Sequence, residues 1–290
     1  MNKKNKKLLT LSVKLILSCL LIYLVFSKID FKNILNLIKG ADVEYFVFAF
    51  LSIVAGQIMG GLRMRYYFGV ERVNFSKLYA ISFYFIGTLF NIVLPGGIGG
   101  DGYKAYYFQR RFKYPWQKTV LNVIRGRASG LLFLCAFLLI LTFLYAEKID
   151  IPYIYYLIFV CALILFPSYS FLAKKLLKER LETQIGAMKY SFFVQFFYLL
   201  GIVFILFGLS SFQGIDIFGY LVIFQIANIV AIIPVSIGGI GIREYTFITL
   251  ANFMSVNSDL GVAASLMFYI VYTLVAFIGF LPYFNLDKLD

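Results

Sequence analysis

Histidine is absent from this 290-residue chain, and charged residues make up only 14% of it. A soluble domain is about one quarter charged, so an ordinary soluble enzyme and a disordered protein are excluded. Without histidine the chain lacks the commonest metal ligand and the usual acid–base group near neutral pH, which excludes zinc, Ser–His and Cys–His chemistry. Three cysteines lie in apolar runs without metal-ligand spacing, and we interpret them as buried thiols: Cys19, Cys135 and Cys161. We expect neither a metal nor a cofactor.

Hydrophobic residues make up 61% of the chain and run nearly from end to end. A membrane-spanning helix needs about 20 mostly apolar residues. The segments that meet this requirement are 8–27, 43–62, 128–146, 152–172, 191–212 and 260–284. The first of them is long for a signal peptide, and we interpret it as an uncleaved helix. The pattern predicts an all-α polytopic membrane protein with about six full transmembrane helices, in which residues 1–290 form a single integral membrane domain.

Two further apolar runs, 78–94 and 217–233, each lead into a proline, a cluster of glycines and then charged residues. We call residues 95–104 the first glycine motif and residues 234–244 the second glycine motif. They align without a gap at an offset of 139 residues, which pairs Pro95 with Pro234, Ile98 with Ile237, Gly99 with Gly238, Gly100 with Gly239, Gly102 with Gly241, and Lys104 with Arg243. This internal repeat divides the chain into residues 1–146 and 147–290.

Positive charges are distributed unequally between the two sides of the predicted bundle. If the N-terminus is cytoplasmic, 21 of the 27 Lys and Arg residues fall in cytoplasmic segments, as the positive-inside rule requires. We therefore expect a multi-pass protein of the cell (inner) membrane with both termini in the cytoplasm. Basic residues lie on both sides of residues 78–111, so both ends of this segment are expected in the cytoplasm, which indicates a re-entrant broken helical hairpin rather than a span.

Three full spans per half invert the second half relative to the first, so the second glycine motif is expected to enter from the opposite face. Opposed broken hairpins in inverted repeats are how many secondary transporters build a substrate site. The alternative is a set of kinked helices whose glycines only allow close helix contacts. We favour the hairpins, because close contact alone does not require charged residues beside a helix break in the membrane.

Three sequence features that could indicate nucleotide or nucleic-acid binding do not support it here. Residues 97–102 match G-x-G-x-x-G, but that fingerprint requires a preceding strand in a βαβ unit, and an apolar helical run precedes it here. Neither motif continues into the Gly-Lys-Ser/Thr of a P-loop, so no nucleotide is expected. The net charge of +13 is explained by basic cytoplasmic loops that attract anionic lipid, so no nucleic-acid partner is expected.

The glycine motifs bring backbone amides and charged side chains to one place. A helix break frees amide donors, and the helix that follows presents its positive N-terminal end, a combination that suits phosphate. We expect Lys104 and Arg243 to hold the phosphate, and the nearby carboxylates to pair with them in its absence. Two buried ion pairs that only lock the halves together are the alternative. The predicted substrate-binding residues are Gly97, Gly99, Gly100, Asp101, Lys104, Gly238, Gly239, Gly241, Arg243 and Glu244.

Polar and small residues outside the motifs have simpler interpretations. Four arginines lie near the ends of predicted spans: Arg63, Arg65, Arg125 and Arg127. They could anchor the helices at the lipid headgroups or take part in substrate entry, and the sequence favours neither role. Three glutamines inside helices are expected to hydrogen-bond between helices: Gln57, Gln195 and Gln225. Two small-xxx-small spacings predict close helix contacts: Gly56/Gly60 and Gly126/Gly130.

The pattern Pro-x-x-Ile-Gly-Gly-x-Gly-x-Arg-Glu at 234–244, with Pro-Gly-Gly-Ile-Gly-Gly-Asp at 95–101, resembles the transmembrane region of lysylphosphatidylglycerol synthases. It also resembles the stand-alone, flippase-like membrane proteins grouped with that region, and the resemblance covers essentially the whole chain. It implies lipid translocation, because in the synthases this region is thought to move the aminoacylated lipid that a separate soluble domain makes. The chain ends at Asp290, soon after its last span, so we expect translocation without aminoacyl transfer.

We therefore expect a flippase-like transporter, not an enzyme, that moves an anionic phospholipid or a polyprenyl-phosphate-linked glycan. The two halves would alternate access to the site, downhill or coupled to an ion carried by Asp101 or Glu244. The expected partners are these membrane lipids and glycans, with a second copy of the chain or a lipid-modifying enzyme as protein partner. Two alternatives stay open: a membrane-embedded transferase acting on lipid-linked sugars, and a non-transporting scaffold for a lipid-modifying partner.

Overall fold

The computed structural model describes residues 31–93, 99–149, 151–210, 216–232, 241–284 and 286. Within these ranges the chain is helical and contains no strand, which confirms the predicted all-α class. The helices are α1 (Phe31–Lys39), α2 (Val43–Val70), α3 (Lys77–Val93), α4 (Gly99–Phe112), α5 (Trp116–Tyr145), α6 (Ile154–Leu177), α7 (Leu181–Ser210), α8 (Ile217–Val230), α9 (Ile242–Ala251), α10 (Ser258–Phe277) and α11 (Phe280–Tyr283). The predicted first span, 8–27, lies outside the described residues.

Five described helical segments are long and apolar enough to cross a membrane: Val43–Val70, Trp116–Lys148, Ile154–Leu177, Leu181–Ser210 and Ser258–Tyr283. They correspond to the five predicted spans that fall within the described residues. Some extend well beyond the predicted ends; α2, for example, continues through Arg63 and Arg65 to Val70. The predicted end of a span lies where charged residues begin. The helix itself continues beyond that residue, because its backbone hydrogen bonds do not depend on apolar side chains. The longer α2 places Arg63 inside the bundle.

Helices α2 and α7 form an antiparallel pair at the centre of the bundle. Gly56 of α2 faces Tyr198 of α7, and a Cβ at Gly56 would lie 2.7 Å from the Tyr198 ring. Further along the pair, Gly201 faces Ile53 and Gly208 faces Tyr45. Glycine at these positions lets large side chains approach the opposing backbone closely. The pair joins the corresponding helices of residues 1–146 and 147–290, although the inverted repeat itself stays a prediction.

Helices α3 and α4 form an antiparallel hairpin. Phe83 contacts Phe108 with ring centroids 5.2 Å apart, and Phe90 contacts Tyr103 at 4.5 Å. Helix α3 has 17 residues, which is about 26 Å of helix, so it is shorter than the roughly 30 Å hydrocarbon core of a bilayer. This length agrees with a helix that enters the membrane and breaks. Residues 94–98, where the break is predicted, lie outside the described residues.

Helices α8 and α9 form the corresponding hairpin in the second half. The backbone N–H of Asn257, the N-cap residue of α10, donates to the Tyr220 hydroxyl near the start of α8 at 2.9 Å, so the chain beyond α9 returns to the end of the bundle at which α8 begins. Helix α8 has only 14 residues, about 21 Å of helix. Residues 233–240, between them, lie outside the described part of the chain.

The interpretation of the cysteines as buried thiols is wrong for Cys161 of α6, which is exposed, and Cys135 of α5 is only half-buried. Helix α6 packs mainly against α5, and little of it is buried. Its remaining apolar surface is the kind that faces lipid in a membrane bundle. Apolar sequence does not distinguish a lipid-facing position from a core position, because lipid tails are as apolar as the protein core. Cys19 lies outside the described residues.

Candidate functional site

An aromatic cluster fixes the first hairpin against α2. Phe108 of α4 stacks on Phe68 of α2 with ring centroids 4.1 Å apart, and it also contacts Phe75 at 5.6 Å. Both Phe68 and Phe108 are fully buried. Stacked aromatic pairs contribute stability beyond their buried area, about 0.5–1.5 kcal/mol each. Because the anchored Phe108 lies one helical turn after Lys104, it turns Lys104 toward α2 and α3.

Lys104 is buried in the described structure, with 6% of its surface exposed. Its side chain passes over Gly87 of α3, where a Cβ would lie 2.5 Å from the Lys104 Cε. The Nζ atom lies 4.9 Å from the centroid of the Tyr84 ring, a distance at which the ring face attracts a cation. Gly87 lies outside both glycine motifs, and sequence analysis did not identify it. It is nevertheless the residue that makes room for Lys104.

Asp101 lies in the first turn of α4, between two cations. Its Oδ1 lies 3.5 Å from the Lys104 Nζ, and its Oδ2 accepts a hydrogen bond from Arg127 of α5. The predicted pairing of Asp101 with Lys104 is therefore present, and Arg127 joins it. Arg127 is half-exposed, with 51% of its side-chain surface accessible, so the cluster reaches from a buried ammonium group to an accessible guanidinium group.

The described glycines of the first motif have different surroundings. The N–H of Gly100 donates to the Asn91 Oδ1 at 2.8 Å, so this amide at the start of α4 is bound within the protein. A Cβ at Gly100 would overlap the carbonyl oxygen of Gly87, whereas a Cβ at Gly102 would meet nothing within 4 Å. Gly100 is therefore required by close helix contact, and Gly102 is not. Gly99 begins α4, and Gly97 lies outside the described residues.

A cavity of about 200 Å³ opens beside Lys104. Four helices of the first half form it: α2, α3, α4 and α5. Its walls combine three cations with one carboxylate and several neutral polar groups. The lining residues are Gly60, Arg63, Met64, Tyr67, Phe68, Tyr84, Asn91, Asp101, Lys104, Asn122, Val123, Gly126 and Arg127.

Arg63 contributes the third cation of this cavity and has 8% of its surface exposed. Its Nη1 donates to the Ser191 hydroxyl of α7 at 3.2 Å, and that hydroxyl contacts Ser129 of α5 at 2.9 Å. A Cβ at Gly130 would lie 3.2 Å from the Arg63 Nη1, and one at Gly126 would lie 3.8 Å from the Nε. The Gly126/Gly130 spacing therefore accommodates an arginine side chain, rather than a neighbouring helix backbone.

Arg125 lies two residues from Arg127 but has a different role. It forms an ion pair with Glu71 at 3.0 Å and donates to the Leu177 carbonyl, the last of α6, at 2.9 Å. A cation that binds the free carbonyls at a helix C-terminus stabilises that helix. Among the four arginines that sequence analysis left open, the structure thus assigns Arg125 to helix capping and places Arg63 and Arg127 on the cavity. Arg65 donates to the Phe75 carbonyl at 2.7 Å.

Glu244 of the second motif does not pair with Arg243 in the described structure, so that prediction is wrong. Its Oε2 accepts from the N–H of Gly241 at 2.7 Å, and its Oε1 accepts from the Ser265 hydroxyl of α10 at 2.7 Å. Adjacent residues on a helix do not face each other, whereas residues three apart do, which is why Asp101 meets Lys104 and Glu244 misses Arg243. Gly241 has a φ of 86°, which favours glycine.

Arg243 is not among the described residues that line the cavity, all of which come from the first half. Its Nε is buried and has no hydrogen-bond partner among the described residues. The guanidinium group lies within electrostatic range of Tyr272 of α10, which contacts Tyr198 with ring centroids 6.1 Å apart. The structure therefore brings Asp101 and Lys104 together, and neither Arg243 nor Glu244 is among the described residues that line the same cavity. Gly238 and Gly239 lie outside the described residues.

The interior glutamines agree in two cases with the predicted contacts between helices. Gln57 of α2 accepts from the Thr88 hydroxyl of α3 at 3.0 Å, and Gln195 of α7 donates to the Gly130 carbonyl of α5 at 3.2 Å. The Nε2 of Gln225 is buried without a hydrogen-bond partner in the described ranges. The first contact joins α2 to α3, and the second joins α5 to α7.

A further carboxylate, Glu179, lies between α6 and α7, close to Tyr67 of the cavity wall, and is 2% exposed. Burial raises the pKa of Glu179, and the nearby Tyr67 hydroxyl and Arg125 lower it by less. The role of Glu179 is not evident from the sequence, because a glutamate that follows the lysine-rich end of a helix is ordinarily solvated.

Comparison with known proteins is consistent with this architecture. The family described as Lysylphosphatidylglycerol synthase TM region matches residues 11–279, which covers both glycine motifs and every helix that lines the cavity. No curated protein matches the chain in sequence.

Proposed function

The chain belongs to the Lysylphosphatidylglycerol synthase TM region family, a membrane family linked to lipid modification or translocation, and we propose that it translocates lipids with anionic phosphate headgroups. The observation that carries the proposal is the cavity beside Lys104, where three cations face one carboxylate. Ionisable residues within membrane segments are costly and generally functional. Anionic phospholipids and polyprenyl-phosphate-linked glycans share the phosphate that such a cavity would bind.

The phosphate would enter in competition with Asp101. That carboxylate engages both Lys104 and Arg127, and a phosphate oxygen can replace it on either cation. Arg63 donates to a neutral hydroxyl, and a guanidinium group has five N–H donors, so donors remain for a phosphate. Asp101 thus offers a reversible counter-charge, which keeps the cations in position before the headgroup arrives.

The proposed orientation places this cavity toward the cytoplasm. With both termini cytoplasmic, α2 begins at the outer face, and Arg63 lies about 30 Å along the helix from Val43. The headgroup would therefore load from the cytoplasmic leaflet while its tails stay in lipid. Single cysteines in place of Lys148 and Lys178, in a background without Cys19, Cys135 and Cys161, test this orientation. We expect an impermeant thiol reagent added to whole cells to label only the first, and the reverse pattern would overturn it.

The experiment that tests the function uses the full chain in liposomes with fluorescent phosphatidylglycerol and a membrane-impermeant quencher. We expect the fraction of quenched lipid to exceed the half that lies in the outer leaflet. Arg63→Gln should lower the rate at least tenfold. Arg110→Gln is the matched control, because Arg110 lies on α4, is exposed and donates to the Tyr106 hydroxyl instead of lining the cavity. Quenching that stays at one half for the unaltered chain would overturn the proposal.

The two alternatives give different results in the same vesicles. A transferase acting on lipid-linked sugars would form a new lipid product, detectable by mass spectrometry, and we propose that the chain itself forms none. A non-transporting scaffold would form no product and would leave quenching at one half. Increased quenching without a new product therefore separates translocation from both.

A further inference from the structure

The charges around the cavity specify more than an anionic headgroup. The described residues that line the cavity include one carboxylate, Asp101, which contacts the two cations Lys104 and Arg127. Arg63 adds another positive charge, and its hydrogen bond goes to a neutral hydroxyl. The described walls therefore carry an excess of two positive charges. A ligand with two negative charges therefore matches this lining best, and the burial of Lys104 and Arg63 strengthens their attraction to it.

Charges just behind the walls do not remove this excess. Arg125 is paired with Glu71, and the pair leaves no charge. Glu179 lies beyond Tyr67, near Arg125, and is not among the described residues that line the cavity. Among the described residues, the other groups that line the cavity are neutral amides, hydroxyls, glycines and apolar side chains.

The size of the cavity sets how much of a lipid it can hold. Sites for drug-sized ligands have volumes of about 300–1,000 Å³, and this cavity has about 200 Å³. It suits a phosphate or diphosphate group, and a glycan or a lipid tail must remain outside. Arg127 is half-exposed, so the glycan or lipid tail of a bound ligand would extend out of the cavity past this residue.

The donors on the walls also match a group with several free oxygens. Two guanidinium groups, of Arg63 and Arg127, each bind two oxygens in a fork, and the Lys104 ammonium binds a further one. A phosphodiester has only two unesterified oxygens and one charge. A phosphomonoester has three strong acceptor oxygens and nearly two charges at neutral pH, and a diphosphate has more oxygens still.

Resting on the proposed function, we propose that the cavity selects lipids whose headgroup is a phosphomonoester or a diphosphate over lipids with a single phosphodiester. Headgroups that also carry ammonium groups bind weakest, because they bring positive charge to a cavity that already has an excess of it. Among lipids with such headgroups, the sugar or tail beyond the phosphate has little effect on binding in the cavity.

The test compares lipids with identical acyl tails, so that only the headgroup differs. Phosphatidic acid is the phosphomonoester, diacylglycerol pyrophosphate the diphosphate, phosphatidylglycerol the phosphodiester, and lysylphosphatidylglycerol the phosphodiester with ammonium groups. Each competes with fluorescent phosphatidylglycerol for the purified full chain. We expect phosphatidic acid and the diphosphate to bind about tenfold more tightly than phosphatidylglycerol, since one additional charge-assisted hydrogen bond is worth about that factor. Lysylphosphatidylglycerol should compete least.

Variants show whether the preference comes from the cavity. Arg63→Gln should reduce the preference for phosphatidic acid over phosphatidylglycerol to about threefold or less, and Arg110→Gln should leave it unchanged. Asp101→Asn adds one positive charge and should increase the preference. Equal affinity for the two lipids, with phosphatidylglycerol still translocated, would overturn the inference and leave the proposed function standing. If the chain moves neither lipid in vesicles, the proposed function fails, and the inference fails with it.

Discussion

Gly87 lies directly beneath the Lys104 side chain, on the facing helix of the same hairpin. A Cβ at Gly87 would lie 2.5 Å from the Lys104 Cε and 3.2 Å from its Nζ. The two residues are 17 positions apart, and only the antiparallel contact of α3 with α4 brings them together. The absence of a side chain at Gly87 thus determines where the buried ammonium group can lie.

Gly87→Ala should displace Lys104 without unfolding the protein. The atoms that a new methyl group meets belong to the end of a flexible side chain, which can move at small cost. We expect the rate of phosphatidylglycerol translocation to fall at least fivefold and the melting temperature in detergent to change by less than about 3 °C, as for a change below 1 kcal/mol. A variant that melts normally and transports at the original rate would show that the position of Lys104 is unimportant.

Gly100→Ala should instead destabilise the hairpin. A methyl group there overlaps the Gly87 carbonyl oxygen, and backbone atoms cannot move aside as a side chain does. Overpacking of this kind costs about 1–3 kcal/mol, which thermal unfolding in detergent would register. Gly102→Ala is the matched control, because a methyl group at Gly102 meets open space and should leave the melting temperature unchanged. Equal melting of the two variants would contradict the close contact at Gly100.

Glu244→Gln should lower stability while leaving headgroup affinity intact. The carboxylate accepts from the Gly241 N–H and from the Ser265 hydroxyl, so its loss weakens both the start of α9 and its contact with α10. We expect a loss of about 1–2 kcal/mol in the free energy of unfolding. Ser265→Ala removes one of the two contacts and should cost less. A Glu244→Gln protein of normal stability that no longer translocates lipid would instead support the role of ion carrier.

Glu179→Gln should stabilise the protein near neutral pH. Because burial raises the folded-state pKa of Glu179, the folded protein binds more protons than the unfolded chain between the two pKa values. The favourable contribution is complete below the unfolded pKa of about 4.3 and is lost as pH rises through the folded value. Above that value the unaltered protein holds a buried charge that glutamine lacks. A melting temperature that is higher for the unaltered protein than for Glu179→Gln at pH 7.5 would contradict this.

Much of the fold and part of the site could be predicted from the sequence. Apolar length predicted the spans, and the spacing of Asp101 and Lys104 predicted their contact, because both depend on neighbours along one helix. Arg63 and Gly87 could not be assigned to the site, since their roles come from contacts between helices that no local pattern encodes. The predicted pairing of Arg243 with Glu244 was wrong, because two residues adjacent in a helix point in different directions.

The glycines between α2 and α7 have a consequence for movement. Helices usually interlock because side-chain ridges of one fit the grooves of the other, and such ridges resist sliding. At Gly56, Gly201 and Gly208 there is no ridge on one helix, and the side chains opposite lie against bare backbone. A shift of α2 along α7 would then move these side chains along backbone that carries no opposing side chain. The small sliding motions by which packed helices rearrange would meet little steric resistance there.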